Sequence, residues 1–274
     1  MTPRDVSAAM DWSQSKLIRI ESGAVGISTN DLRALLTHYN IDPIRISILV
    51  DVARAAREPT PWSIYRNVAS LEYITFLGYE SSASIIRNFE PLFIPDLLQT
   101  EEYARAVISV VEARTPSKID SLVDLCIQRQ ELLVRDNSPR IQVIMDEAVI
   151  RRVVGGRNVM RRQLQYLQTL AGHPKVTIRI ISFARGVYPC QWVPYVLLGF
   201  QDPNDGDLLY MKNLYGEYIV RGDLPGEERA ESAASYLTIF KKVGALSSQE
   251  YTFKLLKGGI DGIISRVSNK ITHG

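Results

Sequence analysis

Apolar and polar residues along this chain repeat with two periods, and the change from one to the other divides it. Near the start, Leu17 and Ile20 are three apart, which lines one side of a short helix and leaves Gln14, Ser15, Lys16 and Arg19 on the other. Ser13 supplies an N-cap for that helix and Gly23 a stop. Thr2 followed by Pro3 opens a preceding helix that runs to about residue 10, and Asp11-Trp12 forms the turn between the two. In "STNDLRALLTHY", Ser28 and Asp31 stand at capping-box spacing, and Leu32, Leu35 and Leu36 share a face. Asp42-Pro43 opens a fourth helix through about residue 57. The two prolines of "EPTPW" then resist helix, which predicts an all-helical domain over 1–57 and a second domain over 58–274.

In the second domain, helical patterns cover roughly 63–88, 100–113 and 117–135, separated by the Pro91 and Pro95 loop. The period then shortens. "RIQVIMDE" (140–147), "KVTIRIIS" (175–182), "VPYVLLGF" (193–200), "DLLYMKN" (207–213) and "GEYIVRG" (216–222) are rich in β-branched and aromatic residues between turn formers and predict strands. A helix over about 158–171 sits between the first two, and amphipathic helices over about 225–243 and 247–257 follow the last. Strands gathered in the middle with helices on both flanks predict an α+β domain with a mainly antiparallel sheet.

Composition narrows the function classes. A chain of 274 residues, 46% hydrophobic and 23% charged, has the balance of an ordinary soluble globular protein. No early apolar run resembles a signal peptide and no stretch approaches the roughly 18 apolar residues of a membrane span, so a cytoplasmic protein without membrane contact is expected. Cys126 and Cys190 lack metal-ligand spacing and any disulfide framework. His38, His173 and His273 are scattered, and "VVGGRN" lacks the glycine spacing and lysine of a phosphate loop, so no metal or cofactor is expected. A net charge of +2 does not advertise nucleic-acid binding. Residues 1–30 set Arg4, Lys16 and Arg19 against Asp5, Asp11 and Glu21, a local balance of zero. Phosphate attraction supplies most non-specific DNA affinity, so one copy of this segment binds weakly and a homodimer is expected if it binds DNA.

The helix pair has the spacing of a helix-turn-helix, in which the second helix enters the major groove while the first braces it. Gln14 offers an amide to adenine or phosphate, Lys16 and Arg19 reach guanine or phosphate, and Ser13 and Ser15 stand close to the duplex. The bland alternative is a helical hairpin whose polar face meets water. "DVSAAMDWSQSKLIRIESGAVGISTNDLRALLTHYNI" (5–41) resembles the helix-turn-helix of XRE-family regulators of the actinomycete type, with their Trp-Ser-Gln-Ser-Lys entry and Arg-x-Glu-x-Gly exit. "NFEPLFIPDLLQTEEYARAVI" (88–108) and "MDEAVIRRVVGG" (145–156) are similar to the C-terminal domain of unknown function that such regulators carry. The resemblance implies a transcriptional regulator that binds double-stranded DNA, is often encoded beside a small partner protein, and has no established catalysis. It also implies a first helix that is missing ahead of Pro3, leaving four helices over a core built for five. Ser7 stands where the family generally has alanine, and Asp11 where it has glycine. Asp tolerates the left-handed conformation, whereas a hydroxyl packed against the recognition helix needs a partner. An interaction protein that has lost DNA binding is the alternative.

For a small-molecule ligand in the second domain, the candidates are Tyr79, Glu80 and Arg87, read as sharing one helix, and Tyr103 on the next, but helix-surface ion pairs and a buried tyrosine are the favoured reading. Asp146 and Glu147 are either an acid-base pair or carboxylates at a helix N-terminus, the second being favoured.

Overall fold

The computed structural model describes residues 2–23, 25–55, 61–111, 115–202, 205–213, 215–221 and 232–271. Two compact units divide the chain, Met1–Thr60 and Pro61–Gly274. The boundary expected between residues 57 and 58 lies in 56–60, outside the described residues.

In the first unit, α1 (Pro3–Ala9), α2 (Gln14–Glu21), α3 (Thr29–His38) and α4 (Pro43–Ala55) follow one another. The caps behave as their residue types require. Thr2 and Asp5 exchange both hydrogen bonds of a capping box, and the hydroxyls of Ser13 and Ser28 accept from the Lys16 and Asp31 amides. Val6, Leu17 and Leu35 form the small core, with Met10, Trp12, Ile27 and Tyr39 packed around it.

In the second unit, residues 61–65 make a 3-10 turn that buries Trp62 and Tyr65. There follow α5 (Leu71–Ser82), β1 (Ile85–Glu90), α6 (Glu101–Val111), α7 (Pro116–Arg129), β2 (Arg140–Asp146), α8 (Glu147–Arg151), α9 (Arg157–Ala171) and β3 (Val176–Ile181). Then come β4 (Tyr195–Gly199), β5 (Leu208–Asn213), β6 (Gly216–Arg221), α10 (Ala233–Gly244) and α11 (Gln249–Ile271). The six strands form one sheet in the order β3-β2-β1-β4-β5-β6. Three of its five pairings are antiparallel; β1 with β2 and β2 with β3 are parallel, joined by helical crossovers. This is a mixed α+β fold that follows a helical N-terminal unit in the chain.

Strand alternation splits the sheet's side chains between two cores. On one face Ile86, Val143, Met145, Ile178, Ile180, Leu198 and Tyr210 pack with residues of α5, α7 and α9. On the other, Phe89, Ile144, Ile181, Tyr195, Leu197 and Leu209 pack with Phe240 and Val243 of α10. At the β3 edge the Ile180 amide donates to Thr252 Oγ1 of α11 at 3.0 Å, so a helix closes that edge. Among the described residues no helix is long and apolar enough to cross a membrane.

One element corrects the sequence reading. The helix expected over 63–88 is three elements: the 3-10 turn, α5 and β1. Ala83 is already extended (ψ 141°) and ends α5, and β1 occupies the centre of the sheet, bonded to both β2 and β4. Arg87 therefore sits on a strand and not on the helix of Tyr79 and Glu80. Ile85, Ile86 and Phe89 suit either period, and pairing with two neighbouring strands is what selects the extended one.

Candidate nucleic-acid interface

The turn between α1 and α2 needs a left-handed residue, and Asp11 takes that role with φ 53°. The Trp12 amide returns to the Ser7 carbonyl at 2.8 Å. Ser7, buried on α1, donates its hydroxyl to the Arg4 carbonyl at 3.0 Å, so its burial leaves no unsatisfied donor. Leu17, fully buried, anchors α2. Tyr39 ties the far end of α2 to α3 by donating to the Glu21 carboxylate; burial first, and that bond second, push its hydroxyl up to about 12.

On this anchored helix Gln14, Ser15, Lys16 and Arg19 are exposed together. Ser13 is exposed too, but its hydroxyl is engaged as the cap. Lys16 is the most restrained of the group: its ammonium lies 4.2 Å from the Trp12 ring centroid and 4.0 Å from Asp31. Sequence reasoning missed Ile18, 55% exposed in the middle of this polar face. An aliphatic group there is what contact with a thymine methyl requires. Its signal was present, since an apolar residue directly after Leu17 cannot share the buried side of a short helix.

The second unit separates the residues read as ligand candidates. Tyr79 stands on α5, edge-on to Phe200, with the Arg221 guanidinium 5.3 Å over its ring. Arg87 points from the opposite face of the sheet, the one it shares with Phe89. Tyr103 is fully buried, its hydroxyl accepting from the Ile94 amide at 3.3 Å, and burial pushes it up to about 12. Glu80 is buried in a bidentate pair with Arg129, at 2.9 and 3.0 Å. The same guanidinium donates to Tyr73 at 2.5 Å and to Asp96 at 2.9 Å. Sequence reasoning passed over Arg129, although it continues the apolar stripe of Leu122, Leu125 and Cys126 on α7 at helical spacing. Cys126, beside it, donates its thiol to the Asp96 carbonyl, and burial raises it to about 12.

A family model described as a domain of unknown function (DUF5753) matches residues 73–235, more than half of the chain. The chain belongs to this family. Among curated proteins and solved structures none matches it.

Within the DUF5753 region, the carboxyl ends of β1 and β2 carry the acids Glu90, Asp146 and Glu147. Asp146 accepts from the Ala148 amide at 2.8 Å, capping α8, and from the Tyr188 hydroxyl at 2.6 Å. Glu147 accepts from Arg151 and from the Phe183 amide. Burial alone would raise the Glu147 carboxyl, but these donors outweigh it and lower it. Each carboxylate thus has one oxygen on α8 and the other on the segment after β3.

Glu90 is different: burial, with Asp96 adding to it, raises it from 4.5 to about 7, against the Leu92 and Phe93 amides that lower it. A carboxyl held protonated only in the folded state makes folding take up a proton between these two values. Stability from this group is therefore greatest below pH 4.5 and falls as pH rises to about 7. Glu90→Gln keeps an acceptor for Leu92 and is expected to be more stable than the parent by on the order of 2 kcal/mol at pH 8, and equal to it at pH 4. Urea denaturation at the two pH values measures this, and a parallel pair of curves with no pH-dependent gap refutes it.

Proposed function

We propose that this DUF5753 protein is a sequence-specific DNA-binding transcriptional regulator of the XRE helix-turn-helix kind, its N-terminal unit reading double-stranded DNA and its second unit answering to a small ligand or a small partner protein. The observation that carries the reading is the exposed face of α2. Gln14, Ser15, Lys16 and Arg19 project from a helix whose N-cap, left-handed turn and Leu17 anchor leave that face bare. Ser13 caps the helix at the point nearest the backbone, so its role is to position the reading residues. The protein acts in the cytoplasm and as a homodimer, because a segment with no net charge needs two copies to hold DNA at physiological salt. It is a binding protein, with no catalytic step assigned to it.

A Lys16→Ala, Arg19→Ala double variant is expected to bind fragments of the gene's own promoter region about tenfold or more weakly, and to show a shallower dependence on salt. Both side chains are exposed, so the circular dichroism spectrum stays that of the parent. Fluorescence anisotropy across a salt series reads the affinity; an unchanged affinity and slope would remove α2 as the reading element.

The zero local charge favours one other reading, an interaction protein that no longer binds DNA. That protein would give no salt-sensitive retention on promoter fragments, while still co-purifying with a small partner.

A further inference from the structure

Polar side chains on a sheet face beneath a helix are costly unless something pairs with them. The face under α10 is apolar where Phe89, Ile144 and Tyr195 meet Phe240 and Val243, but its next row is polar. Cross-strand register sets Arg87, Gln142 and Thr177 side by side there, and Arg179 follows Thr177 on the same side of β3. Between this row and α10 lies a cavity of about 220 Å³, lined among others by Gln142, Thr177, Arg179, Phe240, Lys241 and Gly244. No carboxylate is among its lining residues.

One of the cavity's donors is held in place. Arg179 Nη1 donates to the carbonyls of Gly244 and Ser247, which pins the guanidinium against the end of α10. Gln142 and Thr177 are half-buried, and among the described residues neither side chain has a hydrogen-bond partner. Lys241 is exposed at the mouth, and neither it nor Arg179 has an ion-pair partner among the described residues. The surrounding face adds positive charge: Arg87 leans toward Asp207, with Arg140 nearby, and its Nη1 is buried with no hydrogen-bond partner. Asp207 is the acid beside Arg87, and no acid is among the residues that line the cavity. Phe240 supplies an apolar wall.

We infer that this cavity binds a small organic anion, whose carboxylate or phosphate lies between Arg179 and Lys241 with the Gln142 amide and Thr177 hydroxyl as further donors, and whose apolar part lies on Phe240. A guanidinium already fixed on the floor suits such an anion, since that donor needs no further ordering on binding. The volume of about 220 Å³ admits a small metabolite. The inference gives the sensing half of the proposed regulator a ligand class and rests on that reading only for its regulatory consequence. A chain that binds the anion but no promoter DNA would fail the regulator reading and keep this one.

The test uses the full chain, with benzoate and inorganic phosphate as probes and chloride balancing ionic strength. Saturable amide shifts at Thr177 and Gly244 are expected in nuclear magnetic resonance titrations. Benzoate binding tighter than phosphate marks a carboxylate with an apolar body, and the reverse order marks a phosphate ligand. Lys241→Gln, at an exposed position where folding is not at stake, is expected to weaken binding about tenfold, while Lys242→Gln leaves it unchanged. Thr177→Val is the second variant and lowers affinity without removing charge. No saturable shift with either anion, or unchanged affinity in both Lys241→Gln and Thr177→Val, overturns the assignment.

Discussion

Arg129→Ala is expected to destabilise the DUF5753 unit by about 3–5 kcal/mol, the effect of breaking a buried ion pair by removing one partner. The Arg129 side chain is 5% exposed and Glu80 only 1%, so truncation strands a carboxylate where water cannot replace the lost donors. Tyr73 and Asp96 lose their shared donor at the same time, and the contact between α5, α7 and the segment after β1 loosens. Burial by itself would lower the Arg129 guanidinium, but Glu80 first, then Tyr73 and Asp96, hold it well above its ordinary value, so the guanidinium stays charged. For a domain stable by about 5–15 kcal/mol this is a large fraction. Urea denaturation reads the loss as a drop in midpoint. A Glu80→Gln, Arg129→Met double variant is expected to recover much of it, because no charge is then left unpaired. A loss under about 1 kcal/mol for Arg129→Ala would mean that the pair is well solvated.

Leu17→Ala is expected to cost about 3–5 kcal/mol in the N-terminal unit. Leu17 is fully buried in a core whose other members are Val6 and Leu35, with Met10, Trp12, Ile27 and Tyr39 at its margin. A core of that size has few neighbours able to collapse into the void. Hydrogen exchange separates this from damage to the reading face: amides over 3–38 lose protection, while the central strands β1, β2 and β3 keep theirs. Lys16→Ala and Arg19→Ala, on the exposed side of the same helix, leave that protection intact. Unchanged protection over 3–38 in Leu17→Ala would mean that α2 is not anchored through this residue.

Much of the candidate DNA-reading face was legible because its determinants are local. Ser13 caps α2 through an amide three residues away, Asp11 turns the chain through its own backbone, and Gly23 follows at the helix end with φ 73°. Gln14, Ser15, Lys16 and Arg19 then project outward as helical spacing dictates. Ile18 is less legible, because an apolar residue on a short helix, taken without its spacing from Leu17, suits the buried side as well as the exposed one. In the second unit, β2 to β6 were legible because each is a β-branched or aromatic run between turn formers. The grouping of Tyr79, Glu80, Arg87 and Tyr103 was not: Arg87 was placed on a helix extended six residues too far, to residue 88 instead of Ser82, while Glu80 and Tyr103 are buried on partners of their own.

By itself the sequence determined the capped helices of the N-terminal unit, the α+β class of the second and the outward residues of α2, all consequences of contacts within one or two turns or of strand composition. Only the tertiary structure decided that 85–90 is the central strand, that Arg129 of α7 is buried against Glu80 of α5, and that Gln142, Thr177 and Arg179 meet α10 around a cavity. Those outcomes join residues tens of positions apart. A strand gains its hydrogen bonds from neighbours that the local pattern does not name, and a buried charge is tolerable only where a distant partner arrives to meet it.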